Sequence, residues 1–295
     1  MNRTLNNSTA IVKGKIMKSE NTLTKIKTSG DKLEKPVSGT GEWAADYANI
    51  QTGCKNDCLY CYAKSRAMRF KWATPVTWKE AKIRPHDVNR SYRKSDGTIM
   101  FPSTHDIVEE NLDDCITVLK KILDAGNSVL IVSKPRLSCI RRLCKEFADH
   151  KQRILFRFTI GSAHTPTLKY WEPHAPAFAE RLKCLKHAFD QGYATSVSCE
   201  PMLDANISRV VDKVRPYVTD AVWIGKANRL RGMISLNCPC DETAHEYAEK
   251  LIAMQSDAAI LAIYDQYKDD PLIKWKDSIK DVAGLKRPHE KGLDI

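Results

Sequence analysis

No stretch of 18 apolar residues occurs in this 295-residue chain, so no membrane-spanning helix is expected. Residues 1–19 are polar and hold no apolar segment of the kind a secretory signal needs. With that signal missing, the ten cysteines argue against a disulfide framework and for a reducing cytoplasm. No internal repeat is visible. Aromatic residues are scarce in residues 1–40, which are rich in Lys, Ser, Thr and Asn. That composition reads as a flexible basic N-terminal extension, with Ala10 to Ile16 as one short strand.

The chain has enough apolar residues, 42%, for a sizeable core. Its net charge of +11 points to a polyanionic partner or ligand. The charge is concentrated between Lys64 and Lys94, where ten Lys and Arg residues stand against Glu80 and Asp87 and are interleaved with Trp72, Trp78 and Tyr92. Cations neutralise phosphates and aromatic rings stack on bases, so this insertion (64–97) makes nucleic acid a candidate partner. A solvated basic face with its aromatics turned onto the core is the simpler alternative.

Hydrophobic patterning alternates strands with amphipathic helices. Strands are expected at Tyr47 to Gln51, Thr98 to Pro102, Ser128 to Ser133, Arg153 to Ile160, Tyr193 to Cys199 and Ala221 to Gly225, with Ala259 to Tyr264 as a further one. Helices are expected at Ala63 to Lys71, Glu109 to Ala125, Leu137 to His150, Ala177 to Gln191, Ile207 to Val214 and Thr243 to Gln255. Alternation of this kind implies an α/β fold with a parallel sheet, here a partial (β/α)6 TIM-like barrel. The barrel is expected over residues 41–265, with a short C-terminal extension over 266–295. Chemistry in such folds collects at the C-terminal ends of the strands.

Just past the first expected strand stand Cys54, Cys58 and Cys61, at C-x3-C-x2-C spacing. Thiolates select zinc, copper(I) or iron–sulfur clusters. Structural zinc and ordinary 4Fe–4S clusters both take four protein ligands, so three leave one metal position open. One reading is a non-enzymatic zinc-binding nucleic-acid module completed by a distant Cys or His. The other is catalysis at the open position.

The spacing, with Tyr60 just before the third cysteine, resembles the signature of the radical S-adenosylmethionine (SAM) superfamily. The resemblance implies a 4Fe–4S cluster on Cys54, Cys58 and Cys61, with SAM chelated to the fourth iron. Reductive cleavage then gives a 5′-deoxyadenosyl radical that abstracts a hydrogen atom, with flavodoxin or ferredoxin as the reductant. Over roughly residues 45–203 the chain is similar to the spore photoproduct lyase-like branch. Cys58-Leu59-Tyr60-Cys61-Tyr62 resembles its C-x-Y-C-Y, and Ser103-Thr104-His105-Asp106-Ile107-Val108 its C-T-S-D-I-V. Val132-Ser133-Lys134 resembles V-T-K, and Phe156-Arg157-Phe158-Thr159-Ile160 resembles F-R-F-S-I. Glu172-Pro173 with Arg181-Leu182 resembles E-P and R-L.

By this resemblance Lys134 pairs with the SAM carboxylate, His105, Asp106 and Thr159 contact SAM, and Tyr62 lines the adenine side. The lyases return a hydrogen atom from the cysteine that opens C-T-S-D, and Ser103 stands there instead. A serine O–H bond is too strong to serve. Cys199, at the end of the fifth expected strand, and Cys238 and Cys240 in the following loop are the candidate replacement donors. A nucleic-acid base or nucleotide is the expected substrate, with a peptide or a small molecule as the alternative.

Overall fold

A computed structural model describes residues 36–293; the strand expected at Ala10 to Ile16 lies outside them. The described residues hold nine strands: β1 (Asp46–Tyr47), β2 (Gln51–Thr52), β3 (Lys82–Ile83), β4 (Ile99–Phe101), β5 (Val129–Ser133), β6 (Ile154–Thr159), β7 (Ala194–Cys199), β8 (Val222–Ile224) and β9 (Ile273–Trp275). Seven form one sheet in the order β1-β4-β5-β6-β7-β8-β9, and every neighbouring pair is parallel. β2 and β3 form a separate antiparallel pair.

The middle strands are covered on both faces, as parallel strands flanked by helices must be. In β5, Val129, Leu130, Ile131 and Ser133 are all buried. The helix Leu112–Asp124 shows why the helices pack where they do. Its apolar positions 115, 116, 118, 119, 122 and 123 make one stripe, and all six are buried. Gly126, at φ +83°, ends it: Asn127 N–H reaches the Ile122 carbonyl and Gly126 N–H that of Leu123, the paired bonds that close a helix on a left-handed glycine.

Two expectations need correction. The first strand does not run from Tyr47 to Gln51; it stops at Tyr47, and Gln51–Thr52 turns away to pair with β3. Arg84 fills the gap, donating to the carbonyls of Gln51 (2.7 Å) and Asn49 (2.9 Å). The apolar run at Ala259 to Tyr264 is helical, inside Asp257–Tyr267. Ser256 caps that helix by accepting from Ala259 N–H, a serine-before-acid signal readable in the sequence. The seventh sheet strand is instead β9, only three residues long, followed by the helix Asp277–Ala283.

Candidate active site

The cysteine loop follows β2 and is held at both ends. Gly53 opens it at φ +89°, and a Cβ there would lie 2.4 Å from the Trp78 carbonyl oxygen, so only glycine fits. Cys54 N–H donates to that same carbonyl (3.0 Å), and Leu59 N–H to the Trp171 carbonyl (2.9 Å). Asn237, far along the chain, donates to the carbonyls of Leu59 (2.8 Å) and Cys61 (3.0 Å). The buried ammonium of Lys64 pairs with Asp57 at 2.7 Å. Cys61 caps the helix Tyr62–Arg69, its sulfur accepting from Lys64 N–H.

All ten cysteines fall within the described residues and all are free thiols. Cys54 and Cys58 are buried and Cys61 half-buried. Burial, above all, raises the three loop thiols, Cys54 to about 12. They therefore remain protonated near neutral pH until a metal cation displaces the protons, which is how thiolate sites load. Among the described residues, no three or more His, Cys, Asp or Glu side chains are arranged around a single metal ion. A cubane sets one thiolate on each of three irons and asks for no such convergence. The donor set, three soft sulfurs in one loop, fits an iron–sulfur cluster.

Beside the loop, Asp106 gathers four groups. Its carboxylate accepts from Asn56 Nδ2 (2.8 Å), Ser133 Oγ (3.0 Å) and Lys134 N–H (2.6 Å), and Cys54 Sγ lies at 3.8 Å. The Lys134 ammonium stands 3.8 Å away. Burial pushes the Asp106 carboxyl up, but Lys134 and these donors outweigh it and hold it below the usual range. Burial works against the Lys134 charge, yet Cys58, Tyr60, Asp106 and Glu172 around it raise its pKa well above the ordinary value. Lys134 is thus a fixed cation at the strand end.

A second buried brace backs the first. Glu172 accepts from the Tyr60 hydroxyl on one oxygen and pairs with Arg181 on the other. Arg181 also donates to the carbonyls of Pro176 (2.7 Å) and Thr159 (3.0 Å). The E-P and R-L pairs of the sequence are therefore one strut, joining the cysteine loop to the end of β6.

These elements wall a cavity of about 630 Å³. Cys54, Cys58, Cys61, Tyr62, His105, Asp106, Lys134 and Thr159 all line it. His105 does so with both ring nitrogens engaged: Nε2 accepts from Ile50 N–H (3.2 Å) and Nδ1 lies 3.2 Å from the Asp106 carbonyl. Burial lowers its pKa to about 4, so it is a neutral brace between loops. The Tyr62 hydroxyl donates to the Ser103 carbonyl.

The three proposed hydrogen donors are not in the cavity wall. Cys199 packs in the core with no exposed surface. Side chains alternate along β7, so Ser198 and Glu200 line the cavity and Cys199 faces away. Cys238 ends the helix Leu230–Asn237 against the core, and Cys240 is exposed beyond it. Only Cys54, Cys58 and Cys61 present thiols to the cavity.

The opposite wall was not anticipated. Lys276, fully buried, places its ammonium 2.5 Å from Glu42 and 3.5 Å from Glu200, and donates to the Gly39 carbonyl at 2.6 Å. The Trp43 ring lies 4.2 Å from it. Lys280 approaches the other Glu42 oxygen at 3.6 Å. Burial, only partly offset by Lys276, raises Glu200 to about 7.

No protein-family model matches the chain. An uncharacterized protein of Acidianus two-tailed virus, ORF301, is 23% identical over 176 residues, and the match spans 56% of this chain and 57% of that protein. Among solved structures, a spore photoproduct lyase variant with dinucleoside spore photoproduct aligns over 83% of this chain and 79% of its own, at TM-score 0.52 and 15% identity. A second structure of that lyase, of the same variant, aligns over the same shares at TM-score 0.51 and 16% identity. A third, with bound AdoMet and dinucleoside spore photoproduct, gives 0.50 and 15%. At these identities the likeness establishes a shared fold.

Proposed function

We propose that this chain, with the radical SAM fold in the form spore photoproduct lyase takes, is a radical SAM enzyme. On this reading its sheet is the wall of a partial TIM-like barrel that runs past the expected boundary at 265 to include β9. Cys54, Cys58 and Cys61 hold a 4Fe–4S cluster. The observation that carries the proposal is their shared cavity with Asp106, Lys134 and Thr159, contributed by the loop after β4 and the ends of β5 and β6. When bound, the cluster and SAM supply a 5′-deoxyadenosyl radical that abstracts a hydrogen atom from the substrate.

The chain's own part is to bind, orient and exclude water. Lys134, desolvated and permanently charged, takes the SAM carboxylate. Asp106 fixes the lysine and the cysteine loop relative to each other, and Thr159 and Tyr62 flank the nucleoside part. The substrate is a nucleic-acid base or nucleotide. This rests on the basic insertion, in which Trp72 is exposed while Trp78 and Tyr92 turn onto the core, and on the likeness to a lyase solved with a dinucleoside. The missing thiol bears on the outcome: with Ser103 in the lyase cysteine's place and no thiol at the cavity besides the three that hold the cluster on this reading, the substrate radical takes no hydrogen atom from a protein cysteine. The reaction therefore differs from dimer cleavage as the lyases run it. A flavodoxin or ferredoxin supplies the electron. No described helix is long and apolar enough to cross a membrane.

The test is anaerobic reconstitution with iron and sulfide. The wild type is expected to turn brown with about four irons per chain and, when reduced, to cleave SAM to 5′-deoxyadenosine. Cys58→Ala loses both. A colourless protein with stoichiometric zinc, or a variant that keeps full cluster and cleavage, overturns the assignment.

A further inference from the structure

The helix Tyr62–Arg69 starts at the cavity and ends in an unusual surface. Its last residue is followed by Phe70, 56% exposed, and Trp72, 60% exposed. The two rings stack on each other, with centroids 5.2 Å apart and planes 22° from parallel. Lys71 between them takes φ +57°, the left-handed conformation that folds Trp72 back over the helix end, where its N–H bonds the Ala67 carbonyl (2.9 Å). For a lysine that conformation is strained. The strain holds two large apolar rings in water, against the burial that such rings otherwise favour.

Charge surrounds the rings. The Arg66 guanidinium lies 5.7 Å from the Trp72 ring centre. Arg69 and Lys71 are exposed beside it. Among the described residues, none of these three cations forms a salt bridge within 4.0 Å. The track runs back to the active site. Tyr62, itself 44% exposed, lines the cavity, and Arg66 stands four residues along the same helix, one turn on and on the same face. Tyr62, Arg66 and the Trp72–Phe70 pair therefore form a continuous path from the cavity lip outward.

We infer that this path seats a single-stranded nucleic acid, one base stacking on the Trp72–Phe70 platform while a neighbouring nucleotide reaches the cavity. Flat exposed rings take bases of any sequence, and unpaired cations beside them neutralise the flanking phosphates. An acidic redox protein would use the cations but has no need of stacked rings. The inference rests on the nucleic-acid reading of the substrate above, and its test is separable from the radical chemistry.

The experiment is fluorescence anisotropy of the full chain with a labelled single-stranded oligothymidylate at low and high salt, together with SAM cleavage measured without oligonucleotide. Trp72→Ala is expected to weaken binding about fivefold or more, Trp72→Phe to retain most of it, and added salt to weaken both proteins' binding. SAM cleavage is unchanged in both variants, since Trp72 lies outside the cavity. Equal binding by wild type and Trp72→Ala overturns the platform. So does a loss in Trp72→Ala that appears only in reduction by flavodoxin, which would make the surface an electron-donor seat. If SAM is cleaved but no oligonucleotide binds, the platform falls and the radical reading stands. If binding depends on Trp72 but SAM is not cleaved, the reverse holds.

Discussion

The two walls of the cavity solve one problem, holding charge out of water, in different ways. On the cysteine-loop wall, Asp106 and Lys134 line the cavity and each charge is shared: Asp106 serves Asn56, Ser133 and Lys134 at once, and behind them the fully buried Glu172 serves Tyr60 and Arg181. On the opposite wall, Glu42 and Lys276 are fully buried behind Trp43, and of the groups they contact Glu200 lines the cavity, as does the neighbouring Asp277. The first arrangement leaves the Lys134 ammonium on the cavity wall, 3.8 Å from Asp106. The second consumes its cation internally and works as a keystone. On the proposed function, similar residue types carry binding in one place and architecture in the other.

Removing a charge from each wall separates the two roles, and the largest effect belongs to the keystone. Lys276→Ala removes the closer of two cations from the buried Glu42, leaving Lys280 at 3.6 Å on its other oxygen, and is expected to cost about 3 kcal/mol in chemical denaturation. Adding Glu42→Gln to Lys276→Met should recover most of that loss, because the pair is removed as a unit. If Lys276→Ala is as stable as wild type, the contrast between the walls is wrong.

The next effect tests the binding wall through pH. His105 is held neutral, its pKa lowered by burial from 6.5 to about 4. As pH falls below 6.5 the unfolded chain binds this proton and the folded chain does not. Stability is therefore full above 6.5 and falls towards pH 4, by up to about 3 kcal/mol. Glu200, raised to about 7, works in the opposite sense between pH 7 and 4.5. The measurement is thus the stability of wild type minus that of His105→Gln at each pH, a difference expected to fall by up to about 3 kcal/mol between pH 6.5 and 4 while the Glu200 contribution cancels. Parallel curves would remove His105 from the account.

The smallest effect is the most specific. Lys134→Met should weaken SAM binding by about 1.5–3 kcal/mol while leaving iron content and denaturation midpoint near wild type. A variant that instead unfolds would make Lys134 a second keystone.

The cysteine-loop wall was the legible one. Three thiols within eight positions, and polar residues directly after apolar strand runs, are local patterns that survive without a structure. Asp106, Lys134 and Thr159 stand at such strand ends, and the resemblance to the lyase-like segments singled them out. The opposite wall joins Gly39 and Glu42 to Lys276, 237 positions apart for the Gly39 bond, and no local pattern links a glutamate to a distant lysine. β9 was missed because Ile273–Trp275 is too short to show alternation. Cys199 was placed at the right strand end and on the wrong face, since its neighbours Ser196, Val197 and Ser198 are buried too and two-sided burial erases the period that would have shown it.

The bond between Lys276 and Gly39 also sets an order in time. The two residues leave the ribosome roughly ten to fifty seconds apart at ordinary rates of synthesis. Until then Glu42 stays hydrated, Trp43 has no ammonium beside it, and one side of the cavity is missing. The cysteine loop is made among the first residues of the described chain, while its enclosure closes with nearly the last.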